Sequence, residues 1–142
     1  MTKVYTLLVE DNPGDVELVL LALKPGRILD QISVVEDGEQ AIRYLRRAGE
    51  FKDARLPDLI LLDLNLPRVD GREVLEEIKT DPELHHIPVV VLTTSDAEQD
   101  VWHAYRHHAN CYVTKPAEAD EFMKKVRGIE AFWLTFVQFP KS

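Results

Sequence analysis

Three carboxylates and one lysine in this sequence follow directly on apolar runs. Glu10 and Asp11 come after Val4-Tyr5-Thr6-Leu7-Leu8-Val9, Asp63 after Leu59-Ile60-Leu61-Leu62, and Lys115 after Cys111-Tyr112-Val113-Thr114. A further run, Val89-Val90-Val91-Leu92, leads into the hydroxyl of Thr93. If these runs are parallel strands, their carboxyl ends open on one crevice, which is where such sheets bind ligands. Like charges about 4 Å apart repel by about 4 kcal/mol per pair at an effective dielectric near 20. The group therefore needs a cation, a shared proton or the lysine between the carboxylates. Hard oxygen ligands at a mouth open to water suit Mg²⁺, which keeps several waters and takes one or two carboxylates. With its charge offset, Asp63 can act as a nucleophile toward phosphorus. Lys115 can then hold a phosphoryl oxygen as a point charge, and Thr93 offers a donor at the neighbouring strand end. Any one of these residues alone reads as a solvated loop residue; four strand ends carrying the right types read as a site.

The elements that must position them alternate short apolar runs with amphipathic stretches, the pattern of βαβ units. Residues 4–9 form the first strand. Asn12-Pro13-Gly14-Asp15 breaks it and opens a helix with Val16, Val19, Leu20 and Leu23 on one face, ended by Lys24-Pro25-Gly26. Residues 32–35 form the second strand, followed by a helix over 39–47. The third strand, 59–62, is uniformly apolar, as a strand covered on both faces should be. Leu64-Asn65-Leu66-Pro67-Arg68-Val69-Asp70-Gly71 is a turn-rich loop before a helix over 72–79, which Asp81-Pro82 ends. The fourth strand spans 89–92, and Ser95 or Asp96 caps a helix running to about His107. The fifth strand spans 112–114. A last helix begins near Glu118 and carries Phe122, Val126, Ile129, Trp133 and Phe136 at helical spacing. Gly38 and Gly71 read as turn residues. Five strands and five helices in strict alternation use up the sequence.

The 142 residues allow one domain with a sizeable core, and an apolar share of 45% makes a folded chain the default. With 17 basic and 25 acidic residues the net charge is -8, and no basic stripe is present. Nucleic acid and anionic membranes are poor partners for such a surface. No apolar stretch approaches the roughly 20 residues that span a bilayer. Met1-Thr2-Lys3 runs straight into a strand pattern, so no signal peptide is expected. The single Cys111 cannot form an internal disulfide and fits a reducing cytoplasm.

The acid pair in Val-Glu-Asp-Asn, Asp63 in Leu-Asp-Leu-Asn-Leu-Pro-Arg-Val-Asp-Gly, Thr93 in Val-Leu-Thr-Thr-Ser and Lys115 in Tyr-Val-Thr-Lys-Pro together resemble the receiver domain of two-component response regulators, over about residues 4–130. The resemblance implies a flavodoxin-like (CheY-like) doubly wound parallel sheet with strand order 2-1-3-4-5. It implies Asp63 as the acceptor of a phosphoryl group from a histidine kinase. Mg²⁺ would be held by Asp11, Asp63 and the backbone carbonyl of Asn65, with Glu10 acting through metal-bound water. It also implies a cis peptide at Lys115-Pro116. An acyl phosphate on Asp63 would draw Thr93 toward it, and Tyr112, matching the family's aromatic switch, would swing into the vacated space. The surface of the fourth helix, fifth strand and fifth helix would change with it. Asn65 and Ser95 would flank the path of hydrolytic water and tune the lifetime of the phosphoryl group.

Two features depart from that family's pattern. His108 stands where a Gly is common before the fifth strand and needs an unusual backbone conformation. The sequence also continues past the usual end at about residue 130 into an aromatic extension, 131–142, with no output domain after it. The extension and the strings Val-Glu-Asp-Asn-Pro-Gly-Asp and Leu-Thr-Thr-Ser resemble stand-alone receivers that partner bacterial phytochrome histidine kinases. Phe132, Trp133 and Phe136 either cover the domain's own core or form a homodimer contact; dimerisation, coupled to the site through Tyr112, is favoured. His103 and His107 have a spacing that can bind zinc, but with no nearby Cys or carboxylate to complete a tetrahedral set they read as a solvated helix face. His85-His86 reads as surface, and Cys111 as a small buried residue rather than a nucleophile. Two other functions compete with the phosphorylated switch. One is a haloacid-dehalogenase-type aspartyl phosphatase, which wants a second acid where this chain has Asn65. The other is a scaffolding receiver that is never phosphorylated.

Overall fold

The uniformly apolar runs become the centre of the sheet. In the computed structural model, which describes residues 4–23 and 31–140, the strands Thr6–Val9 (β1), Leu59–Leu62 (β3) and Val89–Thr93 (β4) are buried along their whole length. Ile32–Val35 (β2) and Cys111–Thr114 (β5) are half-buried edges. All pairings are parallel, in the order β2-β1-β3-β4-β5. Five helices alternate with them: Pro13–Leu23 (α1), Gly38–Leu45 (α2), Gly71–Thr80 (α3), Glu98–Arg106 (α4) and Ala119–Ala131 (α5). The fold is the flavodoxin-like one expected.

Because successive strand residues point to opposite faces, the strands feed two cores. Leu7, Val9, Ile60, Leu62, Val89 and Val91 meet α2, α3 and α4 through Ala41, Leu45, Val74, Leu75, Ile78 and Ala104. Leu8, Leu59, Leu61, Val90 and Leu92 meet α1, α5 and the turn after it through Val19, Leu23, Phe122, Val126 and Trp133. A helix thus covers each face of every central strand, which is why those strands carry no polar alternation.

Several boundaries move, each for a local reason. β1 begins at Thr6 because Tyr5 is occupied with Asp58: its amide donates to Asp58 Oδ2 at 2.9 Å and its carbonyl accepts from the Asp58 amide at 2.7 Å. α2 ends at Leu45, before Arg47, whose φ of 54° puts it in the left-handed region. The amides of Arg47 and Ala48 bond back to the carbonyls of Tyr44 and Arg43, the paired closure of a Schellman motif. α4 ends the same way on His108 (φ 68°), with His108 and Ala109 bonding back to Tyr105 and Ala104, so the unusual conformation expected at that histidine is present. A 3₁₀ turn at Gly49–Phe51 has no sequence signal of the periodic kind. Neither Ser95 nor Asp96 is the N-cap of α4; Ala97 is, without a side-chain bond, because Ser95 Oγ is engaged with Asp100. Among the described residues there is no cis peptide, so Lys115-Pro116 is trans, the form X-Pro bonds prefer by about 0.5–1 kcal/mol. The Lys24-Pro25-Gly26 helix stop lies outside the described residues.

Gly38 and Gly71 are not turn residues: each is the first residue of a helix, pressed against the loop after β3. A Cβ on Gly71 would sit 2.2 Å from the carbonyl oxygen of Asp63, and one on Gly38 would sit 1.8 Å from that of Val69. Only glycine lets α2 and α3 start this close. α5 passes at Ala131 into a π-helical turn, Phe132–Phe136. Trp133 packs into the core beside α1 and α5, which removes it from the expected interface set, whereas Phe132 and Phe136 are exposed. Cys111 is half-buried, and burial pushes its thiol above the ordinary range, which disfavours a nucleophile.

Candidate functional site

Strand register sets the site. Val9 aligns with Leu62, and the Asp63 amide donates to the Val9 carbonyl at 3.1 Å, so Glu10 and Asp63 leave the sheet side by side. Thr93 aligns with Thr114, and the Lys115 amide donates to the Thr93 carbonyl at 2.7 Å. Beyond Asp63 the loop alternates: Leu64 and Leu66 turn into the core while Asn65 is exposed. Its amide donates to Asp63 Oδ1 at 3.2 Å.

Lys115 ties the carboxylates together. Its Nζ donates to Glu10 Oε1, to Asp63 Oδ2 at 3.0 Å and to Asp15 Oδ2 at 2.9 Å, and its side chain is 2% exposed. Burial by itself lowers the ammonium pKa; the Glu10 hydrogen bond, the charges of Asp63 and Glu10 and the Asp15 contact outweigh it and hold the lysine above its ordinary range. Burial is also the largest influence on Glu10. It pushes that carboxyl up to about 7, against the hydrogen bond from Lys115 and with help from the charge of Asp63.

Carboxylate oxygens of Glu10, Asp11 and Asp63 lie within 4.8 Å of one another. With Asp15 they place four acids and one lysine at this rim, three of the acids on the lysine itself, an excess of negative charge that a divalent cation is suited to offset. The donor set is all oxygen, two members are buried and one is open to water, so it fits a hard cation that keeps part of its hydration. Thr93 completes the rim. It is fully buried, and its Oγ1 has no hydrogen-bond partner, an unusual state for a buried hydroxyl.

Ser95 and Tyr112 lie next along the rim and are joined to each other: the Tyr112 hydroxyl donates to the Ser95 carbonyl at 2.7 Å. Ser95 Oγ donates to Asp100 Oδ2 at 2.5 Å, and Arg72 Nε donates to Asp100 Oδ1 at 2.9 Å while also pairing with Asp70, the N-cap of α3. The Arg72 and Ser95 hydrogen bonds hold the Asp100 carboxyl below the usual carboxylate range. The structure thus brings Glu10, Asp11, Asp63 and Lys115 together with Thr93 at the neighbouring strand end, and adds Asp15, Arg72 and Asp100, which no sequence motif marks. An acid in the first turn of a helix reads as a favourable partner of the helix dipole, which hid the role of Asp15. Phe132, Trp133 and Phe136 follow α5 and join none of these rim contacts; Pro140, farther on, lines a cavity with Asp58 and Pro88 before β3 and β4, at the opposite end of the sheet.

A parallel sheet in this order, with an acid pair, a strand-end aspartate, an unpartnered threonine hydroxyl and a buried lysine at one rim, is the architecture of a response regulator receiver domain. The chain belongs to that family, whose pattern matches residues 6–127. It is 50% identical to the response regulator Rcp1 of Synechocystis sp. over 96% of this chain and 92% of Rcp1. Its structure is similar to that of the phosphorylated cyanobacterial phytochrome response regulator RcpA, with a TM-score of 0.95, 49% identity and coverage of 99% of this chain and 100% of RcpA. It is also similar to the Mn²⁺-bound form of Rcp1, with a TM-score of 0.94, 48% identity and coverage of 97% and 99%. Among the described residues no helix is long and apolar enough to cross a membrane.

Proposed function

We propose that this chain is a phosphorylation-dependent signalling switch whose acceptor is Asp63. The observation that carries the reading is the convergence of Asp63 with Glu10, Asp11 and Lys115, beside a buried Thr93 hydroxyl that lacks a partner. The donor is the phosphohistidine of a histidine kinase: an Asp63 carboxylate oxygen forms a bond to phosphorus as the P–N bond breaks, and the imidazole leaves with the electron pair and takes a proton. Asp11, Asp63 and the Asn65 carbonyl would hold Mg²⁺, with Glu10 acting through water, and the ion when bound would supply charge neutralisation at the carboxylates. Lys115, already on Asp63 Oδ2, moves its charge onto a phosphoryl oxygen. Thr93 gains in that oxygen the acceptor its hydroxyl lacks, and Tyr112 follows through the rim it shares with Ser95. Asn65 and Ser95 flank the hydrolytic water and set how long the acyl phosphate lasts.

Rcp1 and the phytochrome response regulator RcpA, similar along nearly their whole length, support a phytochrome-class histidine kinase as partner, in the cytoplasm. Residues 1–130 act as the receiver and 131–142 as an extension of its last helix, with no turnover of a free metabolite. Exposed Trp102 and Tyr105 on α4 and Phe132 and Phe136 after α5 support a homodimer through the α4-β5-α5 surface and the extension. Sedimentation should give a dimer for the full chain and a lighter species without residues 130–142; a monomer in both removes the dimer. Acetyl phosphate with Mg²⁺ should label the wild type and not Asp63→Asn, while a generic phosphomonoester should stay intact. Label retained in Asp63→Asn places the acceptor elsewhere.

A further inference from the structure

We propose that Glu76, His103 and His107 form a transition-metal site of the zinc class that bridges α3 and α4, separate from the acidic rim. His103 and His107 lie one helical turn apart at the end of α4, and both aim Nε2 at Glu76 Oε1 on α3, at 3.6 and 3.2 Å. The carboxylate that the sequence did not supply to this pair comes from 27 positions upstream of His103, brought there by helix packing. Metal–ligand distances of about 2.0–2.2 Å at tetrahedral angles set neighbouring ligand atoms about 3.3 Å apart. Both Glu76 contacts lie close to that edge length, and all three ligand atoms fall within 4.8 Å.

His103 adds a second observation. Its Nε2 is buried and makes no hydrogen bond, although it points toward a carboxylate oxygen. The two imidazole rings lie 4.3 Å apart between centroids and are tilted by 41° to each other, so both present their Nε2 to the same carboxylate oxygen. One divalent ion meets both nitrogens and the carboxylate oxygen at once. Two imidazoles and one carboxylate with an open fourth position is a donor set that Zn²⁺ takes in proteins, and imidazole also suits Ni²⁺ and Cu²⁺. All three side chains are 30–43% exposed. Bound there, an ion clamps α4 onto α3 beside the existing Arg72–Asp100 pair and stiffens the helix that carries Trp102 and Tyr105.

The test uses the full chain, stripped of metal and then held in excess Mg²⁺ so that the acidic rim is filled. Co²⁺ is added with visible absorption as readout, and Zn²⁺ is titrated against a chromophoric chelator. One equivalent of Zn²⁺ should bind, and Co²⁺ should show the intense absorption of a four-coordinate site. His103→Gln and Glu76→Gln should each weaken binding more than about tenfold while acetyl phosphate still labels the protein. Zn²⁺ that fails to bind in Mg²⁺, or binds equally well to both variants, overturns the site. So does binding that is lost in Asp11→Asn instead, because the ion then occupies the rim.

Discussion

Among the described residues the molecule carries two clusters of ligand-type side chains, and they are assembled by different means. Glu10, Asp11, Asp63 and Lys115 stand at strand ends, where parallel pairing alone fixes who meets whom. Glu76, His103 and His107 stand on helix faces, where the meeting depends on how α3 and α4 lie on the sheet. The first cluster is mostly buried and gathered at one lysine; the second is half-exposed and has no cation of its own among the described residues. Backbone register therefore collects chemistry that can be read from the order of residues, and packing angle collects chemistry that cannot.

If that contrast holds, removing the centre of the rim should cost far more than removing the centre of the helix pair. Lys115→Met leaves Glu10 and Asp63 buried without their cation. It should lose about 3–5 kcal/mol in urea unfolding without divalent metal, the usual cost of deleting one partner of a buried ion pair. A loss under about 1 kcal/mol would mean that the carboxylates are held by something else.

The next effect is one of pH. Glu10, raised to about 7, is protonated and neutral below that value and charged above it, so protons compete with a cation at the rim. Cation affinity should rise about tenfold between pH 6 and 8, which is about 1.4 kcal/mol, and Glu10→Gln should flatten the profile. Without cation the same shift has the opposite sign for folding. The native state keeps a proton that the unfolded chain releases above its ordinary 4.5, so this group's contribution is full below that pH and declines as pH rises toward 7. A cation affinity that does not change from pH 6 to 8 would remove Glu10 from the cation's surroundings.

The smallest effect belongs to the helix pair. In metal-free protein Glu76→Gln should change stability by less than about 1 kcal/mol, as half-exposed pairs do. A larger change would make the helix cluster a structural element in its own right.

The same contrast explains how far the sequence could be read. The uniform apolar runs of β3 and β4 announced a sheet covered on both faces, and the residue after each run announced the rim. Asp15 escaped because a first-turn acid is ordinary, and the Arg72–Asp100–Ser95 chain because its contacts span 28 and 5 positions and join α3, α4 and the loop after β4. The end of α2 escaped because nothing in Arg47 declares a positive φ. Trp133 and Phe136 share one helical spacing, yet only Trp133 reaches the core, since the π-helical turn changes the periodicity just where the aromatic residues lie.

The most direct measurement treats the full chain with acetyl phosphate and Mg²⁺, reduces any acyl phosphate with borohydride, and maps the reduced side chain by peptide mass spectrometry. Reduction at Asp63 alone, absent in Asp63→Asn, is the result predicted. Reduction at another carboxylate, or none in a protein that binds the cation normally, contradicts the account.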